Sequence, residues 1–210
     1  SRSRRRFTGC LDVFNVIRAQ VTASRDGQFL NMQESTLLEG PERLRRDWRR
    51  QGMAANCVRF MEALGVPPDA SPFSFSLLRE LLGLLENEER PPELAPLFFR
   101  FRLAAEQGYA PDLRGCFRCG KPLDSFERAY VLVGEGLACC PDCRPRGGMS
   151  LALGQESLDV LRKVQEYSPS RWAALEPSPD SRREAGRLID AFVRYHLGLE
   201  WVNGRFRRNS

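Results

Sequence analysis

Two Cys-x-x-Cys pairs stand 20 residues apart in this chain: Cys116-Phe117-Arg118-Cys119, followed by Gly120, and Cys140-Pro141-Asp142-Cys143. Each pair can close a tight turn that aims two thiolates at one point, with glycine allowing the backbone to approach. Four thiolates at about 2.3 Å complete the tetrahedron that Zn²⁺ accepts, and a site so closed has no open position for a substrate. The spacing therefore predicts one structural zinc held by Cys116, Cys119, Cys140 and Cys143. Cys139 is adjacent to a ligand, but the Cys-Pro-x-Cys turn favours Cys140 and leaves Cys139 a bystander. The competing readings are a redox pair or chance cysteines. There are seven cysteines, five of them within 28 residues. That odd, clustered set does not fit a secreted disulfide framework. Cys10 and Cys57 are expected to pack in the core.

The second chemical signal is arginine. The chain carries a net charge of +5, and only Lys121 and Lys163 among its 32 basic residues are lysines. The first fifty residues hold eleven arginines against six acids, and the rest of the chain balances. A coding bias can account for arginine over lysine, but not for its concentration at the front. Arginine forks phosphate bidentately and stacks on bases, so nucleic acid is the partner it suits. The head, Arg2, Arg4, Arg5 and Arg6 before Phe7, could grip phosphates and stack a base. A second group is Arg45, Arg46, Arg49 and Arg50, with Arg43 and Trp48 beside them. Helical spacing puts Arg45 with Arg49, and Arg46 with Arg50, on shared faces. A small third cluster is Arg205, Arg207 and Arg208. For each group the alternative is a solvated face or a frayed terminus.

Catalytic constellations are not visible. The single histidine, His196, falls late in a predicted helix, where it suits the C-terminal dipole. There is no Gly-x-Ser-x-Gly elbow, Walker-type loop or G-x-G-x-x-G, and Glu86, Glu88 and Glu89 look like an acidic helix end. We expect a binding protein and no enzyme. No apolar run reaches the ~18–20 residues that span a bilayer, and no apolar core follows the basic start as it would in a signal peptide. A soluble, non-secreted protein is expected.

These residues need a frame. Alternation from Leu11 to Thr22 predicts a strand, Asp26-Gly27 a tight turn, and Gln28–Glu34 the returning strand. Two strands cannot bury a core alone; they pack on the rest of the chain, or further strands precede Ser1. From Gly40-Pro41 the pattern becomes helical: Glu42–Arg50, Gly52–Leu64, Phe73–Leu85, Leu94–Gln107, and later Gln155–Tyr167 and Ser181–His196, separated by proline breaks. Between the cysteine pairs, Ala129–Val133 and Gly136–Ala138 form a short hairpin, as in a zinc ribbon. Leu94–Gln107 carries Leu97, Phe98, Phe99, Phe101 and Leu103 around Arg100 and Arg102, too apolar for one core-facing stripe. Either it is a central helix buried on nearly all sides, or it leaves an aromatic face with Arg100 and Arg102 as the basic rim of a pocket.

Together these pieces resemble the RecO family of bacterial recombination and repair mediators. Arg4-Arg5-Arg6-Phe7-Thr8-Gly9-Cys10-Leu11-Asp12-Val13-Phe14 is similar to the basic loop and strand of that family's N-terminal OB-fold. Gly108-Tyr109-Ala110-Pro111-Asp112-Leu113 running into Cys116-x-x-Cys119-Gly120 is similar to its entry into the zinc segment, and Tyr195-His196-Leu197-Gly198 with Arg205-Phe206 to its last helix and tail. The resemblance implies an α+β protein: a partial N-terminal OB-fold β-barrel over 1–39, lacking its first strands, then an α-helical domain over 40–114 and 148–210 with a four-cysteine zinc ribbon inserted at 115–147. It further implies ATP-independent binding and annealing of single- and double-stranded DNA. Contact with single-stranded-DNA-binding protein and RecR, to help RecA load, would follow, in the cytoplasm at the bacterial nucleoid and with no membrane. The acidic, hydrophobic-ended tail of that first partner would suit a pocket at Arg100 and Arg102, where charge reversal should weaken the tail without costing stability. The alternative is a zinc-ribbon adaptor or regulator acting mainly through protein contacts.

Overall fold

The computed structural model describes residues 9–65 and 71–208. At the front, β1 (Val16–Ala23) and β2 (Leu30–Glu39) pair antiparallel. Their turn is built by Asp26, whose carboxylate accepts from Ser24 Oγ and from Gln28 N at 3.2 Å, with Gly27 at φ 70°. β2 runs five residues past the expected end at Glu34, because Ser35–Glu39 continues to pair with Val16–Ala19 through a register shift between Val16 and Ile17. Among the described residues these two strands form a sheet of their own and close no barrel. Val21, Leu30, Leu37 and Leu38 remain exposed on it.

The helical body follows: α1 (Arg43–Arg46), α2 (Trp48–Leu64), α3 (Ser71–Asn87) and α4 (Ala95–Glu106). The expected break near Gly52 falls at Asp47 instead. Asp47 is extended, and its carboxylate accepts from Arg49 N at 2.8 Å and Arg50 N at 3.4 Å. An N-cap satisfies donors that are otherwise orphaned, worth about 1 kcal/mol, so the helix starts there and runs through Gly52 to a left-handed stop at Gly65. The shared faces expected of Arg45 with Arg49, and Arg46 with Arg50, are lost at this break. Glu86, at the end of α3, accepts from the backbone N–H groups of Glu42, Arg43 and Leu44 and so caps α1 from a distance. Burial pushes its carboxyl up, but the three N–H groups outweigh this and hold it below the usual glutamate range.

α4 is the central helix. Phe98, Phe99, Phe101 and Leu103 are fully buried, Phe98 with its ring edge-on to the buried Trp172. Next comes a sheet ordered β4-β3-β5, from β3 (Arg128–Leu132), β4 (Leu137–Cys139) and β5 (Ser150–Gly154). β5 lies outside the expected insert, 115–147, yet pairs along the whole of β3. α5 (Gln155–Glu166) and α6 (Pro179–Leu197) complete the body, and a final hairpin joins β6 (Leu199–Val202) to β7 (Arg205–Arg208). The ribbon is not a separate lobe. Ala129, Val131 and Leu153 share one core with Leu158 and Leu161 of α5 and Leu188 and Ile189 of α6.

Candidate metal centre and nucleic-acid interface

The first cysteine knuckle is closed by Gly120 N donating to Cys116 O at 2.8 Å and Cys116 N to Lys121 O at 2.9 Å, with Gly120 at φ 72°. A side chain at Gly120 would strain that turn. Phe117 N donates to Ala138 O at 2.9 Å, tying the knuckle to β4. The second knuckle is a 3-10 turn over Pro141–Cys143, in which Cys143 N donates to Cys140 O at 3.2 Å. Together they bring the sulfur atoms of Cys116, Cys119, Cys140 and Cys143 all within 4.8 Å of one another. Cys119 and Cys140 Sγ are 3.8 Å apart, which matches the edge of roughly 3.8 Å that a tetrahedron of thiolates at about 2.3 Å from one ion requires. Four soft donors at that separation can hold a metal ion. Cys139 lies outside the cluster, fully buried in β4 opposite Tyr130.

The protonation of the cluster follows its surroundings. Burial pushes Cys116 up, but the backbone N–H groups of Cys140, Cys119 and Arg118 outweigh it and bring it to about 6. Cys143 is pushed up to about 12, first by its hydrogen bond with Cys140 and then by burial. Four sulfurs this close favour one thiolate among thiols unless a dication compensates the rest.

The ribbon is anchored at its tip as well. His196 Nε2 lies 2.6 Å from Val133 O, and its ring packs on Phe192 at 4.2 Å between centroids. A Cβ at Gly134 would lie 3.0 Å from the Tyr195 hydroxyl, so the turn packs closely on α6 and a side chain there would push the exposed tyrosine aside. The histidine thus joins ribbon to body, a role that its place in the last helical turn did not disclose.

The predicted basic residues part company. Arg2, Arg4, Arg5 and Arg6 lie outside the described residues. Arg45 bridges body and front hairpin, its guanidinium on Asn15 Oδ1 and on Val13 O at 3.3 Å. Arg46 is exposed and 3.6 Å from Glu42; Arg49 is exposed over the Trp48 ring, 5.3 Å from its centroid. Arg50 is no surface residue. It is buried, pairs with Asp47 at 3.2 Å, and donates to the carbonyls of Leu85, Glu88 and Glu89 at the end of α3. With four of its five N–H donors spent inside the fold and the side chain buried, it offers phosphate no open face.

Arg100 and Arg102 are not free rim charges either: Arg100 lines a groove, but with its charge already answered. Arg100 is nearly buried, with Asp190 at 3.3 Å, Asn56 at 2.9 Å and the Phe206 ring beneath it; burial lowers it despite the ion pair. Arg102 binds Glu106 at 2.8 Å and Gln165 O and covers Phe73. Because α4 is the buried central helix, charge reversal at either residue breaks internal contacts and costs stability. The C-terminal hairpin is missing from the sequence reading, although Asn203-Gly204 is a strong signal for a two-residue turn. Both residues take positive φ, at 51° and 79°.

No helix among the described residues is long and apolar enough to cross a membrane. Residues 45–205 match the family model described as Recombination protein O C terminal. The chain is 50% identical over 210 residues to the DNA repair protein RecO of Nitratidesulfovibrio vulgaris, covering 99% of this chain and 84% of that one. Against the DNA repair protein RecO of Oleidesulfovibrio alaskensis the identity is 43% over 207 residues, with 99% and 84% covered. Against that of Lawsonia intracellularis it is 41% over 208 residues, with 98% and 83% covered.

Proposed function

This chain belongs to the RecO family of DNA repair proteins, and on that premise we propose that it is a recombination mediator that binds and anneals single- and double-stranded DNA without nucleotide hydrolysis. It works by binding and is no enzyme, meeting single-stranded-DNA-binding protein and RecR and helping RecA load on coated strands, in the cytoplasm at the nucleoid. The front hairpin is its portion of an OB-fold. Its metal is Zn²⁺, held by Cys116, Cys119, Cys140 and Cys143, and serves to fix the ribbon.

What carries the reading is similarity to proteins named for DNA repair along nearly the whole chain, from the front hairpin to the last strand. The exposed arginines Arg46 and Arg49 beside Trp48 support it, as phosphate contacts of the kind that hold any sequence. The mechanism is electrostatic: guanidinium groups neutralise phosphates on two strands, so that complementary bases meet against less repulsion. Complementary oligonucleotides mixed at low salt should therefore anneal faster in its presence, with no nucleotide added. An annealing rate equal to that of the free strands would refute this function.

A further inference from the structure

Two segments that the sequence keeps far apart, α2 and the last hairpin, lie side by side. Arg59 of α2 donates to Gly204 O in the last turn at 2.8 Å, and Arg208 donates back to Leu64 O at 3.4 Å, so the β6–β7 hairpin lies along α2. Phe206 packs edge-on against Phe60 at 5.1 Å and fixes that docking. Where α2 begins, a groove opens between the helix and the hairpin, with Trp48 and Arg49 at one wall and Trp201 at another.

Two of the three tryptophans stand at this groove. Trp48 is 75% exposed and Trp201 40%, whereas Trp172 is fully buried. A tryptophan left in water forgoes the burial that makes it valuable to a fold, so packing gives no account of Trp48. Trp201 is held from behind by Phe206, with ring centroids 4.7 Å apart. The charges nearby sort by sign. Arg100 is answered by Asp190, Glu93 by Arg182 and Glu200 by Arg194. Among the described residues no carboxylate pairs with Arg49, Arg205 or Arg207, all of them exposed. The groove's floor of Asn56, Arg100 and Asp190 offers donors and acceptors. Beside them Met53, Leu94, Pro96 and Leu97 give the groove an apolar lining on which the face of a base can rest.

We propose that this groove is a single-strand stacking site, in which unpaired bases stack on Trp48 and Trp201 while Arg49 takes phosphate. Aromatic platforms beside arginines bind single strands because every base has a face to stack, and a duplex keeps those faces to itself. The inference rests on the DNA-binding reading and adds to it strand selectivity and a place on the helical body, apart from the ribbon.

Tryptophan fluorescence tests it on the whole chain, with buried Trp172 as the internal reference. Titration with an oligo-dT strand should quench emission from Trp48 and Trp201, and a duplex of equal length should not. Trp48→Ala, at an exposed site, should weaken oligo-dT binding about tenfold and duplex binding less than about twofold. Trp201→Val keeps a strand-compatible residue and should act in the same direction, with Trp172 emission reporting that the body is folded. If Trp48→Ala binds oligo-dT as tightly as the parent, the stacking site is wrong while DNA binding stands. If the parent binds no DNA at all, both fall. Quenching by an acidic peptide and none by oligo-dT would give the groove to a protein partner and overturn the proposal.

Discussion

Cys116→Ser should strip the metal from this protein, lowering bound zinc from about one ion per chain to nearly none, whereas Cys139→Ser should leave it in place. The contrast follows from geometry. Cys116 Sγ belongs to a cluster of four whose members lie within 4.8 Å of each other, and Cys139, one residue from the ligand Cys140, does not. Serine is a poor ligand for a soft-donor site, and three thiolates leave the tetrahedron open. Loss of the ion should loosen the two knuckles. It should not unfold the body, because β3 and β5 remain packed on α5 and α6. Metal analysis after dialysis against a chelator reads the first effect, and limited proteolysis around residues 116–146 the second. Equal zinc loss in the two variants would remove the assignment of ligands.

The next largest effect is expected at Arg50. Its side chain is buried and holds three carbonyls where α3 ends, besides its pairing with Asp47. Arg50→Met fills similar space but leaves those carbonyls facing no donor, at a cost of about 3 kcal/mol. In a chain this long that corresponds to a fall in melting temperature of roughly 6–12 °C. Arg49→Ala, one residue away and exposed, should cost under about 0.5 kcal/mol while weakening DNA binding. The pair separates structure from function within one turn of helix. A small stability change at Arg50 with a large loss of DNA affinity would reverse the two roles.

The four-cysteine cluster was legible because its chemistry is local. Two Cys-x-x-Cys turns each need only four residues to place a pair of thiolates, and the sheet between them had only to bring the pairs together. Helices with strong breaks were legible for the same reason: the Leu94–Gln107 expectation differs from the observed Ala95–Glu106 by one residue at each end. The arginines were not. Arg46, Arg49 and Arg50 look alike in a row, and which one is buried depends on where α2 starts. That start is decided by the side chain of Asp47, not by apolar spacing. The third strand of the ribbon was missed because Ser150–Gly154 alternates too weakly to declare itself, and it exists by pairing with β3. The last hairpin was different. Its Asn203-Gly204 turn was in plain view, but its docking on α2 is a tertiary contact, Phe206 on Phe60, that no local signal carries.

If arginines hold DNA by its phosphates, the affinity must fall as salt rises. Each phosphate neutralised on a single strand contributes about 0.7 to the slope of log affinity against log salt. With Arg46, Arg49, Arg205 and Arg207 all exposed, a titration of the whole chain with an oligonucleotide at several salt concentrations should give a slope of about 3 or steeper. A flat dependence, or no binding at low salt, would contradict the account and favour an adaptor that works through protein partners alone.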